Sequence, residues 1–544
     1  MRILVLAICS LPLLFANLLA QTAQRATIDG RVLDKATAQP VVGASVEVIG
    51  TRFGAITRAD GRFTITVDAG TYSLRIVSIG YEPRVVSDIS VSAVRPASVE
   101  AELVERAVEA GAVVVRPDYF GDRRAAETSS RELRNEEIRR LPGGFEDVVR
   151  AISSLPGVAQ VSNARNDLLV RGGGPSENLY LIDGVEVPNI NHFGTQGSGG
   201  GPLSYINLDF VDDIRFSTGG FGVAFGDRTS SSLEIDLRDA RSDRFGGKAT
   251  ISASQFGINI EGPLSDDIAM LASARRSYLD FIFRAAGFSF VPEYWDFMTK
   301  LTWRAGQTDR VSFVGIGAID RVRTFDRDAD DRFENARLLD NSQDQLVLGA
   351  NWRHLFATGY VSTSVGMTSV DYKFAQFDSL RSPVFTNTSS ERELSTRIDG
   401  SFAIDDGTEL LAGVQGRTVD FDADIFVRRA GGSLDLDLSE QFYKAAVYTQ
   451  LARRFGDRLR ATLGARVDYF SGVVESFVPS LRGGISFRLD DLSQATASIG
   501  RYHQSPSYIW LAGDTANRRL EQIKATVGIL GIDRLLDDDL RVSI

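Results

Sequence analysis

Residues 170–189 read VRGGGPSENLYLIDGVEVPN, from Val170 to Asn189. Gly172, Gly173 and Gly174 stand between Arg171 and Pro175, and a short alternating strand and an Asp183–Gly184 turn follow. A phosphate cradle needs Lys and Ser or Thr after the glycines, at the start of a helix. This stretch has neither and leads into a strand. Asp183 and Glu186 invite an acid–base reading, but Asp-Gly between YLI and VEV is a hairpin turn. The glycines read as a tight turn inside a packed space that leaves little room for side chains. What encloses that space is decided by the rest of the chain.

The 544 residues carry a formal net charge of −11, with 43% apolar and 24% charged residues. That balance does not point to disorder, and it argues against nucleic acid, which demands a basic footprint. The chain holds 51 Gly, 32 Phe and 14 Tyr against 4 Met, a bias towards turns and strands. Residues 1–23 (MRILVLAICSLPLLFANLLAQTA) read as a secretory signal peptide. The single cysteine, Cys9, lies inside it, so the mature chain is expected to lack disulfides, a thiol nucleophile and a cysteine metal site. No later run reaches the ~18–20 apolar residues of a spanning helix. Residence in a membrane therefore requires a barrel.

The expected fold is mainly β. Residues 26–104 alternate as a small sandwich, with Ala44, Val46 and Val48 on one face and Phe63, Ile65 and Val67 on another. Asp60–Gly61 reads as a hairpin signal and Ala69–Gly70 as the next turn. Residues 105–130 read as a linker. Residues 131–240 read as a compact α+β unit: a short helix ends at Pro142–Gly143, and a second carries Phe145, Val148, Val149, Ile152 and Leu155 on one face. Strands DLLVRG, NLYLIDG and DDIRFSTGG follow. From 243 to 544 the pattern is alternating strands, clearest at Leu459–Tyr469, where Leu463 and Val467 face one way and Thr462 and Arg466 the other. Short links such as Asp405–Thr408 alternate with long acidic ones such as DRDADDRFENARLLDNSQDQ, the signature of a transmembrane β-barrel.

Other chemistry is poorly served. GGKAT at 246–250 has a lysine without the spacing or helix of a phosphate loop. His192, His354 and His503 are far apart in sequence, so no metal site is expected. Gly197–Gly201 lacks the context of a nucleophile elbow and reads as a flexible loop. No coherent triad, dyad or cofactor motif emerges, so neither an enzyme nor a cofactor is expected.

Three segments then fit together: EEIRRLPGGFEDVVRAISSLPGVAQ (136–160), the opening stretch continued to Phe193, and FVDDIRFSTGGFGVAFGDRTSSSLEIDLRD (210–239). Their order and spacing resemble the plug domain of TonB-dependent outer-membrane receptors. INIEGPLSDDIAMLASARRSYLD (258–280) and IGRYHQSPSYIWLAG (499–513) resemble barrel stretches of the same family. Residues 26–104 resemble a carboxypeptidase regulatory-like domain, which implies a transthyretin-like sandwich and no peptidase activity.

The resemblance implies a plug filling a 22-stranded barrel in the outer membrane of a Gram-negative bacterium. It implies uptake of a scarce small solute (iron chelate, cobalamin, glycan or peptide), with energy from contact with TonB. Outer-membrane lipid and a surface lipoprotein are further partners. The roughly 300 residues after 243 suffice for about fourteen or fifteen strands, so a chain truncated at its C-terminus is expected. Arg171 is the expected plug–barrel lock. Glu177, Asn178, Asn191, His192 and Phe193 are expected at the ligand-facing plug apex. Gly172, Gly173, Asp183, Gly184, Gly219, Gly220 and Gly226 are expected as plug turns. Val113, Val114 and Val115, in AVVVRPD, are the candidate TonB box. The competing reading is an outer-membrane binding or adhesion protein without transport.

Overall fold

The computed structural model describes residues 25–35, 37–81, 83–91, 97–104, 129–140, 147–162, 165–252, 255–405, 407–490, 492–537 and 540–544. The expected signal peptide and the candidate TonB box, Val113–Val115, lie outside the described residues. The chain divides into two units: residues 1–34 with 40–118, and residues 35–39 with 119–544.

The first unit is a two-sheet sandwich. Strands Arg62–Asp68, Arg25–Asp34 and Ala97–Leu103 form one sheet in that order. Strands Gly54–Ile56, Ser45–Val48, Gly70–Val77 and Arg84–Val91 form the other. Alternation fills the space between them with Ile28, Val46, Phe63, Ile65, Leu74 and Ile76. Each such side chain contributes roughly 1.5–3 kcal/mol by leaving water. The hairpin expected at Asp60–Gly61 is corrected. The turn is present, with the Gly61 amide donating to Arg58 O, but the strands on either side of it belong to opposite sheets. Both must bury their alternate apolar residues against the shared core, which separates them.

The second unit has an inner domain and a wall. The inner domain is built on a five-stranded sheet in the order Val185–Val187, Asn178–Ile182, Ser231–Leu237, Val211–Ser217, Ser130–Arg134. Asn178–Ile182 and Ser231–Leu237 run parallel, and the other neighbours run antiparallel. Ser130–Arg134 is an edge strand where a helical region was expected; only Leu133 of SRELR is apolar, so its alternation is hidden. Helix Val148–Ile152 is capped by Asp147, whose Oδ1 accepts from Val149 N at 2.8 Å.

The wall is a fifteen-stranded antiparallel sheet, running in chain order from Gly246–Ile251 to Leu540–Ser543. Several links at one end hold two to four residues, such as 305–308 and 357–358; links at the other end reach 278–289, 325–339 and 505–522 and carry short helices. Through most of the sheet the outward face is apolar and the inward face polar. On Leu459–Phe470, Leu463 is 67% exposed while Thr462 and Arg466 are buried. The acidic stretch expected as loop is partly strand: Asp340–Phe356 begins within it. Its polar residues Gln343 and Gln345 point inward and are buried.

The polarity inverts at one level of two neighbouring strands. Above Thr418 on Thr408–Arg429, and above Tyr443 on Gly432–Phe455, the outward residues are Asp420, Asp422, Asp424, Asp435 and Asp437, all exposed. The inward residues become Val419, Phe421, Ala423 and Phe442, which join a buried cluster with Phe470, Tyr508 and Leu511. No helix among the described residues is long and apolar enough to cross a membrane.

Candidate functional site: the interface between inner domain and wall

The opening stretch builds two turns of one kind. Val170 and Gly173 exchange backbone hydrogen bonds at 3.2 and 2.9 Å around Arg171 and Gly172, at φ +48° and +88°. Ile182 pairs with Val185 around Asp183 and Gly184, at φ +47° and +80°. Both carry the two left-handed residues of a type I′ turn, which suits Gly and Asp and is tolerated at Arg171.

The second turn is fastened to the wall. Lys300 Nζ lies 2.8 Å from Asp183 Oδ2, and Asp183 Oδ1 accepts from Leu237 N at 2.8 Å. Asn351 Nδ2 donates to Asp183 O at 2.6 Å. Burial pushes the Asp183 carboxyl upward, more than Lys300 draws it down. Three residues on, Glu186 is gripped by both terminal nitrogens of Arg417, on the wall strand Thr408–Arg429. Arg228 adds a 3.5 Å contact to Glu186. Burial alone would raise the Glu186 carboxyl, but Arg417 and Arg228 outweigh it and hold it low.

A second attachment surrounds GGFGVAFGDR (219–228). Arg482 donates to the carbonyls of Phe221, Gly222 and Phe225 at 3.1, 2.5 and 2.7 Å. Arg466 donates to Val223 O and Ala224 O at 3.1 and 3.3 Å. Lys444 Nζ reaches Asp227 Oδ2 at 2.6 Å, and Asp227 Oδ1 accepts from Ser505 N at 2.7 Å. Burial opposes ionisation of Asp227, but Lys444 and Arg228 hold its carboxyl well below the ordinary range. Gly226 lies directly under Arg466: an added Cβ would stand 2.3 Å from its Nε, so the guanidinium would have to move. Gly219 and Gly220 turn at positive φ beside Ile529 of the wall, and a Cβ on Gly173 would meet Ser230 at 2.6 Å.

The third attachment centres on His192, which is 0% exposed. Its Nδ1 lies 2.6 Å from Asp320 Oδ1 and its Nε2 lies 3.3 Å from Asp296 Oδ2, with Tyr294 stacked at 4.1 Å. Arg275 Nε donates to Asp296 Oδ1 at 2.6 Å. Gln343 and the Phe193 amide both donate to Asp320 Oδ2, at 2.9 and 2.6 Å. Burial favours the neutral imidazole, but the two carboxylates prevail and lift His192 to about 9.

These geometries correct several expectations. Arg171 is exposed and makes no ion pair with a described carboxylate; its position in the turn carries it over Gly157. Asn178, Asn191, His192 and Phe193 are buried and do not form an open apex. Asn178 accepts from Ser231 Oγ at 2.7 Å and Asn191 donates to Gly199 O at 3.1 Å, so their polar groups are used internally. Glu177 accepts from Gly174 N at 2.8 Å and from Thr229 Oγ1 at 2.5 Å. Gly199, Gly200 and Gly201, expected in a flexible loop, are buried; a Cβ on Gly200 would overlap Asp167 at 1.6 Å. His354 pairs with Asp309 at 2.8 Å and His503 with Pro479 O at 3.1 Å, both away from His192. Sequence reasoning missed Lys300, Asp296, Asp320, Arg417, Lys444, Arg466 and Arg482. Their signal was available as charges on the inward-alternating positions of strands whose outward positions are apolar.

Three family descriptions match the chain: carboxypeptidase regulatory-like domain over residues 27–104, TonB-dependent receptor plug domain over 122–232, and TonB dependent receptor-like beta-barrel over 272–544. The chain belongs to the TonB-dependent receptor family. The inner domain is its plug and the fifteen-stranded sheet is barrel wall. The chain is 29% identical over 240 residues to the TonB-dependent transporter Oar of Myxococcus xanthus, covering 42% of this chain and 22% of that protein. It is 27% identical over 228 residues to the TonB-dependent receptor SusC of Bacteroides thetaiotaomicron, covering 39% and 21%. The matched stretches thus span about a fifth of the length of these curated relatives, 22% and 21%. A mutant of the ferric enterobactin receptor PfeA from Pseudomonas aeruginosa shares the fold, with TM-score 0.61 at 16% identity over 76% of this chain and 70% of that one.

Proposed function

We propose that the full-length protein takes up a scarce small solute (an iron chelate, cobalamin, a glycan or a peptide) across the outer membrane of a Gram-negative bacterium, driven by TonB. The observation that carries this reading is the fastening of the plug to the wall by buried ion pairs at two places, through the neighbouring pairs Glu186–Arg417 and Asp227–Lys444 and through His192–Asp320. Such a plug shuts the lumen at rest, yet it is held by polar contacts that can be exchanged for water when it is pulled. A purely adhesive protein has no use for a removable stopper.

In this reading the segment 112–118 adds as a strand to TonB and transmits the pull. The polarity inversion at Thr418 and Tyr443 marks where the wall leaves hydrocarbon, because outward carboxylates are unfavourable in lipid. The strands above it form an extracellular vestibule, where a surface lipoprotein would dock. Arg171 has no part in the lock. No covalent chemistry is required.

The test compares solutes removed from the medium by cells with and without the gene, before and after the proton-motive force is collapsed. Depletion of a defined solute that needs both the gene and the force supports uptake. Identical depletion in all four cultures rules it out.

A further inference from the structure

Two neighbouring wall strands of unequal height leave an open edge. Gly432–Phe455 pairs with Thr408–Arg429 from Arg429↔Gly432 to Thr408↔Arg453 without a register shift. On its other side it pairs with Leu459–Phe470 only from Phe455↔Leu459 to Lys444↔Phe470. Ser471 takes one further step: its amide donates to Tyr443 O at 2.9 Å, and its Oγ accepts from Tyr443 N at 2.8 Å. Above that point, residues 433–442 have no neighbouring strand on this side among the described residues. At ~3.4 Å per residue the open edge is about 30 Å long.

Tyr443 fixes which backbone groups face the gap. In an antiparallel strand the N–H and C=O of one residue point to the same side, and successive residues alternate. Both groups of Tyr443 meet Ser471, so those of Gln441, Ser439, Asp437, Asp435 and Ser433 point to the open edge. Such an edge is a template for another strand, and proteins block it with proline, a bulge or a covering segment. Residues 433–442 hold no proline and no bulge. Tyr508, from the link 505–522, stacks on Phe442 at the inward face and leaves the edge open.

The side chains decide what suits this edge. Outward, Asp435 and Asp437 are exposed beside Asp420, Asp422 and Asp424 of the paired strand. Asp437 stands directly opposite Asp424, and like charges so placed repel. Arg392 faces Asp420 across the ladder, and Arg428 near the hairpin tip is taken by Asp378. Inward, Leu434, Leu436 and Leu438 are half-buried. A second copy of the edge would set the same carboxylates side by side. A strand with basic residues outward and apolar residues inward matches both faces.

We propose that the edge at 433–442 docks a partner protein by strand addition: an extended segment of that partner, alternating basic and apolar residues, continues the wall sheet above Ser471. Its backbone takes up the free N–H and C=O groups, its cations meet Asp435 and Asp437, and its apolar side chains extend the leucine row. The proposal goes beyond the uptake reading and shares with it only the placing of these strands outside the membrane.

The test is fluorescence anisotropy of labelled decapeptides with the purified full-length protein, one alternating lysine and valine and one alternating glutamate and valine. The lysine peptide binds, more weakly as salt rises, and the glutamate peptide does not. Amide exchange at Asp435, Asp437 and Ser439 is fast in the protein alone and slows about tenfold with the lysine peptide. Ser439→Pro removes an edge N–H, leaves the pairing with Thr408–Arg429 intact and weakens binding about tenfold, while Ser439→Ala binds as the wild type does. Asp435→Asn with Asp437→Asn also weakens binding about tenfold and flattens its salt dependence, and carries the test if Ser439→Pro fails to fold. No binding of the lysine peptide, equal binding of both peptides, wild-type affinity in the asparagine variant, or slow exchange in the protein alone overturns the proposal. So does a dimer of the full-length protein that Ser439→Pro dissociates, since the occupant is then a second copy. Labelling of Ser433→Cys on intact cells by a membrane-impermeant maleimide, in a strain that shows no energised uptake, supports the exposed edge and removes only the transport reading.

Discussion

Arg417 on the wall grips Glu186 on the plug, and the same guanidinium bonds Glu393 at 3.0 Å. One buried cation is thus shared between a fixed carboxylate and a removable one. Tyr508, in the segment that folds over the inner wall, donates its hydroxyl to Glu393 at 2.8 Å. The chain of contacts runs from plug to wall to the link 505–522.

Removing the plug's half of this pair should loosen the gate. Glu186→Gln leaves Arg417 with one carboxylate, and breaking a buried pair costs about 3–5 kcal/mol. Planar-bilayer recordings of the full-length protein should show more frequent and larger openings, and cells should become more sensitive to vancomycin. Arg171→Ala should change neither, because Arg171 is exposed and unpaired with any described carboxylate. The opposite ranking of the two variants contradicts the assignment.

The His192 contact should weaken with alkali. Its folded pKa is raised to about 9 from 6.5, so its contribution is fully present below about pH 6.5 and is lost as pH rises through about 9. The Phe193 amide, which donates to Asp320 beside it, is a local reporter. Hydrogen exchange at Phe193, corrected for the intrinsic rate, should accelerate across that window and be nearly flat in His192→Gln. Glu186 and Asp227 have the opposite sign: held low, they contribute above the ordinary carboxylate range and fail only as pH falls below it.

Gly226→Ala should damage the second attachment. The new Cβ would displace the Arg466 guanidinium, which then loses Val223 O and Ala224 O. The cost is roughly 1–3 kcal/mol, that of leaving buried polar groups unpaired. It should appear as plug release at lower urea, with the wall strands still folded.

The membrane boundary proposed at Thr418 and Tyr443 predicts an asymmetry. Leu463→Arg places a charge on the lipid face and should destabilise insertion by about 2–4 kcal/mol. Asp422→Arg, above the inversion, should be nearly neutral. Urea titrations in phosphatidylcholine vesicles compare the two, and equal effects would place the boundary elsewhere.

The legible parts of this chain were those with strict alternation or a turn signature. Leu459–Phe470 showed its outward and inward faces directly, and Asp183–Gly184 declared its turn. The attachment sites were harder, for a physical reason. Inside a plugged barrel the usual code inverts, so buried positions are charged and exposed ones apolar. Asp340–Gln345 read as loop because it is polar, yet its glutamines are buried against the plug and donate to Asn189 O and Asn191 O. Arg171 stands in a turn motif yet is exposed, while Arg417 sits at an inward-alternating position of its strand and makes the pair with Glu186. The plug–wall pairs join residues far apart in sequence, 231 positions for Glu186 and Arg417 and 217 for Asp227 and Lys444, and no local pattern encodes that pairing.

The most direct test of the central claim is contact with TonB. Val114→Cys in the full-length protein, paired with single cysteines along the C-terminal domain of TonB, should give a disulfide-linked adduct in growing cells, and that adduct should increase when solute is supplied. Absence of any adduct across residues 112–118, with both partners present and accessible to thiol reagents, would contradict a TonB-driven gate.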